Sequence, residues 1–120
     1  MKKILIVDDE PNIVMTLEYT FKKSNYEVFI ARDGQEALDI LKTNFPDVII
    51  LDIMMPMVDG YATLEQIRKD DNLQHTKVMF LSAKNKESDI EKGLALGADA
   101  YMTKPFSIKK VVEKVEVLLL

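Results

Sequence analysis

Asp47-Val48-Ile49-Ile50-Leu51-Asp52-Ile53-Met54-Met55-Pro56 decides how the chain reads. Four consecutive apolar residues, three of them β-branched, run into an aspartate, and Pro56 closes the stretch. A short apolar run of this kind reads as a strand buried on both faces, which belongs to a parallel sheet covered by helices. Asp52 then stands where the strand leaves the core, and ligands of open α/β sheets bind at that end. On this stretch alone, Asp52 reads equally well as a polar strand terminator.

Working outward, Lys3-Ile4-Leu5-Ile6-Val7 is a second apolar strand, ending on Asp8-Asp9. Residues 26–31, 78–81 and 98–103 supply three more, the last two ending on Ser82-Ala83 and Lys104-Pro105. Helical spacing appears between and after them: Ile13, Val14, Leu17 and Phe21; Ala37, Leu38 and Leu41, ending by Pro46; Tyr61, Leu64, Ile67 and Arg68; a segment reaching about Leu96; and Ile108, Val111, Val112, Val115, Leu118 and Leu119. Pro11 suits the first position of a helix, and Asp9 and Glu10 favour its positive end. Asp33 with Glu36 resembles a capping box, Asp59 caps the third helix, and Gly97 is placed for a left-handed C-terminal cap. Residues 70–76 read as a polar connection. Five strands alternating with five helices predict an α/β fold, a doubly wound parallel sheet with right-handed crossovers. One domain covers residues 1–120, without linker or repeat.

Composition narrows the chemistry. A net charge of −4 with no basic tract argues against a nucleic-acid surface. The chain has no cysteine and a single histidine, His75, which excludes thiolate chemistry and histidine metal clusters within one chain. Four apolar residues between Lys3 and Asp8 are too few for a signal-peptide core or a membrane span, so a cytoplasmic protein without a membrane partner is expected.

In a parallel sheet all carboxyl ends share one edge, so Asp8, Asp9, Asp52, Ser82 and Lys104 should gather there. At about 5 Å and an effective dielectric near 20, each pair of carboxylates repels by roughly 3 kcal/mol. Such a cluster calls for a cation, and its hard oxygens suit Mg²⁺. Lys104 adds a positive charge and Ser82 a hydroxyl. A carboxylate nucleophile with these neighbours describes phosphoryl transfer onto an aspartate. Singly, each residue has a plainer reading: Asp8-Asp9 as a helix start, Ser82 as a strand end, Lys104 as a solvated side chain. Independent placements would scatter over both sheet edges.

The order Ile-Val-Asp8-Asp9-Glu-Pro, Leu-Asp52-Ile-Met-Met-Pro56, Asp59-Gly60, Leu-Ser82-Ala83, Gly97-Ala98-Asp99-Ala100-Tyr101 and Thr-Lys104-Pro105-Phe106 resembles the receiver domain of two-component response regulators, the family of the bacterial chemotaxis response regulator. The resemblance spans essentially the whole chain. It implies a flavodoxin-like sheet of order 2-1-3-4-5. It implies that Asp52 takes a phosphoryl group from a phosphohistidine on a sensor histidine kinase or phosphotransfer protein. Asp9, Asp52 and the Met54 carbonyl would bind Mg²⁺ directly, and Asp8 through water. Lys104 and Ser82 would contact phosphoryl oxygens, and the Lys104–Pro105 peptide would be cis. On phosphorylation Ser82 moves and Tyr101 turns inward, reshaping the fourth helix, fifth strand and fifth helix for a downstream effector protein or domain. Tyr101 also reads as an ordinary half-buried strand aromatic. Ile13, Pro105 and Phe106 would form the kinase-docking patch. Such a domain catalyses its own phosphorylation and dephosphorylation and is not a turnover enzyme.

Other classes fit less well. A haloacid-dehalogenase phosphatase needs an acid two residues past its nucleophile, where this chain has Met54. No phosphate-cradling glycine loop is present for a nucleotide enzyme. A phosphorylation-independent binding module of the same fold stays open, as does the choice between a stand-alone regulator and a receiver from a longer protein. Ile90 and Lys110 stand where the winged-helix transcription-factor subfamily carries an arginine and an acid on its dimer face, so that dimer is not implied.

Overall fold

The computed structural model describes residues 1–120. Five strands, β1 (Lys3–Val7), β2 (Glu27–Ala31), β3 (Val48–Leu51), β4 (Lys77–Ser82) and β5 (Ala100–Thr103), form one parallel sheet of order β2-β1-β3-β4-β5. Five helices alternate with them: α1 (Pro11–Lys23), α2 (Gly34–Ile40), α3 (Gly60–Lys69), α4 (Glu87–Ala95) and α5 (Ile108–Leu118). This is the flavodoxin-like topology that the resemblance implies.

The strand alternation sorts the core into two layers. Leu5, Val7, Ile49, Leu51, Val78 and Phe80 face one side, where Ala37, Leu64 and Ile67 cover them. Ile4, Ile6, Val48, Ile50, Met79 and Leu81 face the other, against Leu17 and Phe21 of α1 and Val111 and Val115 of α5. Every residue of β3 is buried, as its apolar run predicts, while the edge strands β2 and β5 are only half-buried.

Several boundaries differ from the sequence reading. Tyr26 precedes β2; its ring meets Phe21 edge-on at 5.1 Å, after Asn25 turns the chain with φ 67°. α2 stops at Ile40, because Leu41 caps it and drops into the core. Residues 70–76 are not simply polar: Asp71–Leu73 forms a 3₁₀ turn that buries Leu73, and Thr76 is buried with its hydroxyl donating to the Pro46 carbonyl at 2.9 Å. β5 begins at Ala100 rather than Ala98, and Gly97 takes the expected left-handed turn with φ 112°.

The predicted caps form, that of α2 as a simple cap: Asp33 accepts the Glu36 N–H at 2.8 Å without the return bond of a capping box, and Asp59 accepts the Ala62 N–H at 2.9 Å. At the amino edge of the sheet, Arg68 donates to the carbonyls of Gly97 and Thr76 and to Asp99, whose carboxylate also accepts the Val78 N–H. That bracket fixes the end of α3 to the start of β4 and β5, opposite the carboxyl edge.

Candidate functional site

Register delivers the acids. β1 and β3 pair directly, with Val7 opposite Leu51, so Asp8 and Asp52 leave adjacent strands at one level. The Asp52 N–H continues the ladder to the Val7 carbonyl at 2.9 Å. Both carboxylates are almost wholly buried, each residue 3% exposed. Ser82 pairs with Thr103, which puts Lys104 one residue past the end of β5, its N–H on the Ser82 carbonyl at 2.9 Å. The Lys104–Pro105 peptide is cis.

From there the lysine reaches into the acids. Its Nζ lies 2.8 Å from Glu10 Oε1, 3.0 Å from Asp8 Oδ2 and 3.3 Å from Asp52 Oδ2. Three carboxylates surround one ammonium, a local charge of −2. Burial raises the pKa of Asp8, only partly offset by the Glu10 N–H it accepts and by Lys104; the Asp52 charge raises it further. Burial alone would lower the pKa of Lys104, but Glu10, Asp8 and Asp52 outweigh it and hold the ammonium above its ordinary value.

The acceptor strand end is held from below. A Cβ on Gly60 would lie 2.6 Å from Ile53 Cα and would overlap the Asp52 carbonyl, so only glycine fits at the first residue of α3. The Gly60 N–H donates to the Ile53 carbonyl at 2.9 Å. On the rim, the Met54 N–H donates to Asp52 Oδ1 at 3.3 Å while its side chain is exposed.

Ser82 is fully buried, and its Oγ accepts the Lys84 N–H at 3.3 Å. Tyr101 is half-buried with its ring against Phe80, and its hydroxyl donates to the Lys84 carbonyl at 2.7 Å. Burial, then the charges of Tyr61, Asp89 and Asp52, push its phenol up to about 12. Ile13, Pro105 and Phe106 line one open cleft of about 500 Å³ together with Glu10, Ala83 and Lys104. Ile13 and Phe106 are half-buried against the α1–α5 layer, and Pro105 is exposed.

Asp9 is not brought to this cluster. The carboxylates within 4.8 Å of one another are those of Asp8, Glu10 and Asp52; Asp9 is exposed and lines a neighbouring cleft with Glu18 and Arg32. Asp8 turns inward from its buried strand, which sends Asp9 outward, and the longer Glu10 reaches back to Lys104. Sequence reasoning gave Glu10 only a role at the helix start. The available signal was its place two residues after Asp8, where the Asp8 carboxylate accepts the Glu10 N–H at 2.9 Å and closes a tight turn.

Residues 4–116 match the family described as response regulator receiver domain. The chain belongs to this family. It is 46% identical over 118 residues to the alkaline phosphatase synthesis transcriptional regulatory protein PhoP of Bacillus subtilis, covering 98% of this chain and 48% of that protein. The chain therefore spans about half the length of this curated relative. Its fold superposes on the receiver domain of Francisella response regulator 1452 with TM-score 0.91 at 37% identity, covering 99% of this chain and 97% of that one. It also superposes on the receiver domain of sensor histidine kinase PA1611 from Pseudomonas aeruginosa with TM-score 0.89 at 26% identity, covering 98% and 97%; that structure has a magnesium ion coordinated in its active-site cleft. The chain is thus a receiver domain with an acidic pocket at the carboxyl edge of its sheet.

Proposed function

We propose that this receiver, residues 1–120, accepts a phosphoryl group on Asp52 in a Mg²⁺-dependent reaction. The observation that carries the reading is the Lys104 ammonium 3.3 Å from a nearly buried Asp52 carboxylate at the end of the central strand. An Asp52 oxygen attacks phosphorus, the bond from phosphorus to the donor's imidazole nitrogen breaks, and that nitrogen keeps the electron pair. Lys104 neutralises charge on the phosphoryl oxygens, and Ser82 donates a hydrogen bond to one of them. Tyr101 and Ser82 then bias the α4–β5–α5 surface that meets a downstream effector protein or domain.

The donor set fits Mg²⁺. Three carboxylates share one pocket with a single lysine, and oxygen ligands are what this ion takes. Asp52 and the Met54 carbonyl would hold it, with Asp8 acting through water; exposed Asp9, outside the cluster, would join only by turning inward. When bound, the ion neutralises charge on the transferring group. The phosphodonor is a sensor histidine kinase or phosphotransfer protein, docking at Ile13, Pro105 and Phe106. The work is done in the cytoplasm and involves neither a membrane nor direct nucleic-acid binding by this domain. No helix is long and apolar enough to cross a membrane. The domain promotes its own phosphorylation and dephosphorylation and turns over no substrate.

Intact-mass measurement after incubation with acetyl phosphate and Mg²⁺ tests the reading. One phosphoryl group should appear, and Asp52→Asn should abolish it. An unmodified wild type would favour the phosphorylation-independent binding module, and a mass gain retained in Asp52→Asn would move the acceptor elsewhere.

A further inference from the structure

We propose that Glu10 is a displaceable counter-ion on Lys104, a positioning residue that competes with the incoming phosphoryl group. The inference rests on the phosphoryl-acceptor reading above. An ammonium has three hydrogens to donate. Here Lys104 Nζ donates to Glu10 at 2.8 Å and to Asp52 at 3.3 Å, and the Asp8 carboxylate lies 3.0 Å away as a third ion-pair partner. A phosphoryl oxygen arriving at Lys104 competes with these carboxylates for the ammonium, and one of them yields.

Burial decides which one. The side chains of Asp8 and Asp52 are each 4% exposed, whereas that of Glu10 is 57% exposed. Releasing Asp8 would leave a carboxylate stripped of both water and its cation, the costly case. Glu10 returns to solvent instead. Glu10 also lines the cleft formed by Ile13, Ala83, Lys104, Pro105 and Phe106. A donor protein seated in that cleft meets the Glu10–Lys104 pair at its wall. Removing the Glu10 charge should therefore speed phosphoryl capture without new contacts to the phosphoryl group. Glu10 stands at the N-cap of α1 but makes no side-chain cap hydrogen bond, so its substitution removes no cap.

The test compares wild type, Glu10→Gln and Glu10→Asp, the last one methylene shorter. Acetyl phosphate supplies the phosphoryl group under saturating Mg²⁺, and intact mass follows the rate. Part-exposed ion pairs contribute up to about 1 kcal/mol, so Glu10→Gln should be roughly twofold to fivefold faster at low salt. Glu10→Asp should change in the same direction. Salt screens exposed charges over about 10 Å at 0.1 M, so the ratio of variant to wild type should fall toward one as salt rises. A second readout needs neither metal nor phosphate: solvent exchange of the Lys104 ammonium, followed by nitrogen NMR, should be faster in Glu10→Gln. A phosphorylated wild type with a ratio of one or below, or unchanged ammonium exchange, overturns the counter-ion role alone. Reduced Mg²⁺ affinity with slower capture in Glu10→Gln also overturns it, because Glu10 would then be a metal ligand. A wild type that takes no phosphoryl group overturns the acceptor reading and this inference together.

Discussion

The Tyr101 hydroxyl donates to the Lys84 carbonyl at 2.7 Å, which ties β5 to the loop that follows Ser82. The bond holds the ring inside a cradle formed by Phe80 and by Gly93 of α4, where an added Cβ would lie 3.0 Å from the Phe80 ring and 3.2 Å from Tyr101 Cδ2. Phe80 is fully buried and cannot retreat; half-buried Tyr101 can.

Gly93→Ala should therefore turn Tyr101 outward. The substitution gains about 1 kcal/mol of helix propensity, but overpacking costs about 1–3 kcal/mol, so a net loss of stability is expected. The Tyr101 phenol, held at about 12, should fall back toward its ordinary 10. A folded pKa above the unfolded one gives stability that is present below pH 10 and is lost as pH rises toward 12, so Gly93→Ala should flatten the wild type's loss in that window. Ultraviolet titration of tyrosine and alkaline melts would report both; an unchanged titration would mean the ring stays in place.

Gly60→Ala should be more damaging, because the new methyl meets backbone at Asp52 and Ile53 rather than a movable side chain. A loss of about 3 kcal/mol is expected, at the upper end for overpacking. Urea unfolding measures it. A loss under 1 kcal/mol would mean that the loop between β3 and α3 yields easily.

Burial raises the pKa of Asp8, so the folded chain holds that proton more tightly than the unfolded chain. The associated stability is present below the ordinary value of 3.8 and is lost as pH rises through the folded value. Asp8→Asn should thus be more stable than wild type at pH 7 without Mg²⁺, and the gap should close near pH 3.5. Saturating Mg²⁺ should reverse the order, since binding stabilises only the intact site. Exposed Asp9→Ala should shift metal-free stability by no more than about 0.5 kcal/mol while weakening Mg²⁺ binding. Urea melts with and without Mg²⁺ decide; an Asp8→Asn chain less stable at pH 7 would count against repulsion in the cluster.

Signal lifetime depends on the water that attacks the phosphorylated aspartate. Met54, two residues past Asp52, is 56% exposed and has no group that orients water. Lys84, two past Ser82, is only a donor at neutral pH. Met54→Asn should speed phosphoryl loss severalfold, because such transfers depend on positioning. Lys84→Gln should act in the same direction. Equal decay in wild type and both variants would leave the rate to the shared core residues.

Docking at the cleft can be separated from chemistry. Ile13→Glu with Phe106→Glu should slow transfer from a partner kinase at least tenfold and leave acetyl phosphate labelling within about twofold, since the patch belongs to a transient interface. Intact kinase transfer in the double variant would reject the patch.

The sequence by itself determined the sheet, its neighbours and the edge where the acids gather. Period-two burial along β1, β3 and β4 and period-3.6 stripes on the helices are written locally, residue by residue. Asp52, Ser82 and Lys104 were legible because parallel strands end on one edge whatever the details of packing. Alternation past the end of β1 already turns Asp8 inward and Asp9 outward. Tertiary structure alone decided that Glu10 joins the cluster, because its partner, the Lys104 ammonium, arrives from a strand two places away from β3. Leu73 and Thr76 likewise read as part of a polar connection, because Thr76 meets its partner, the Pro46 carbonyl, and Leu73 joins its core layer only once distant segments have come together. Charge placement and long-range closure are properties of the fold, since each requires the approach of groups that no local pattern records.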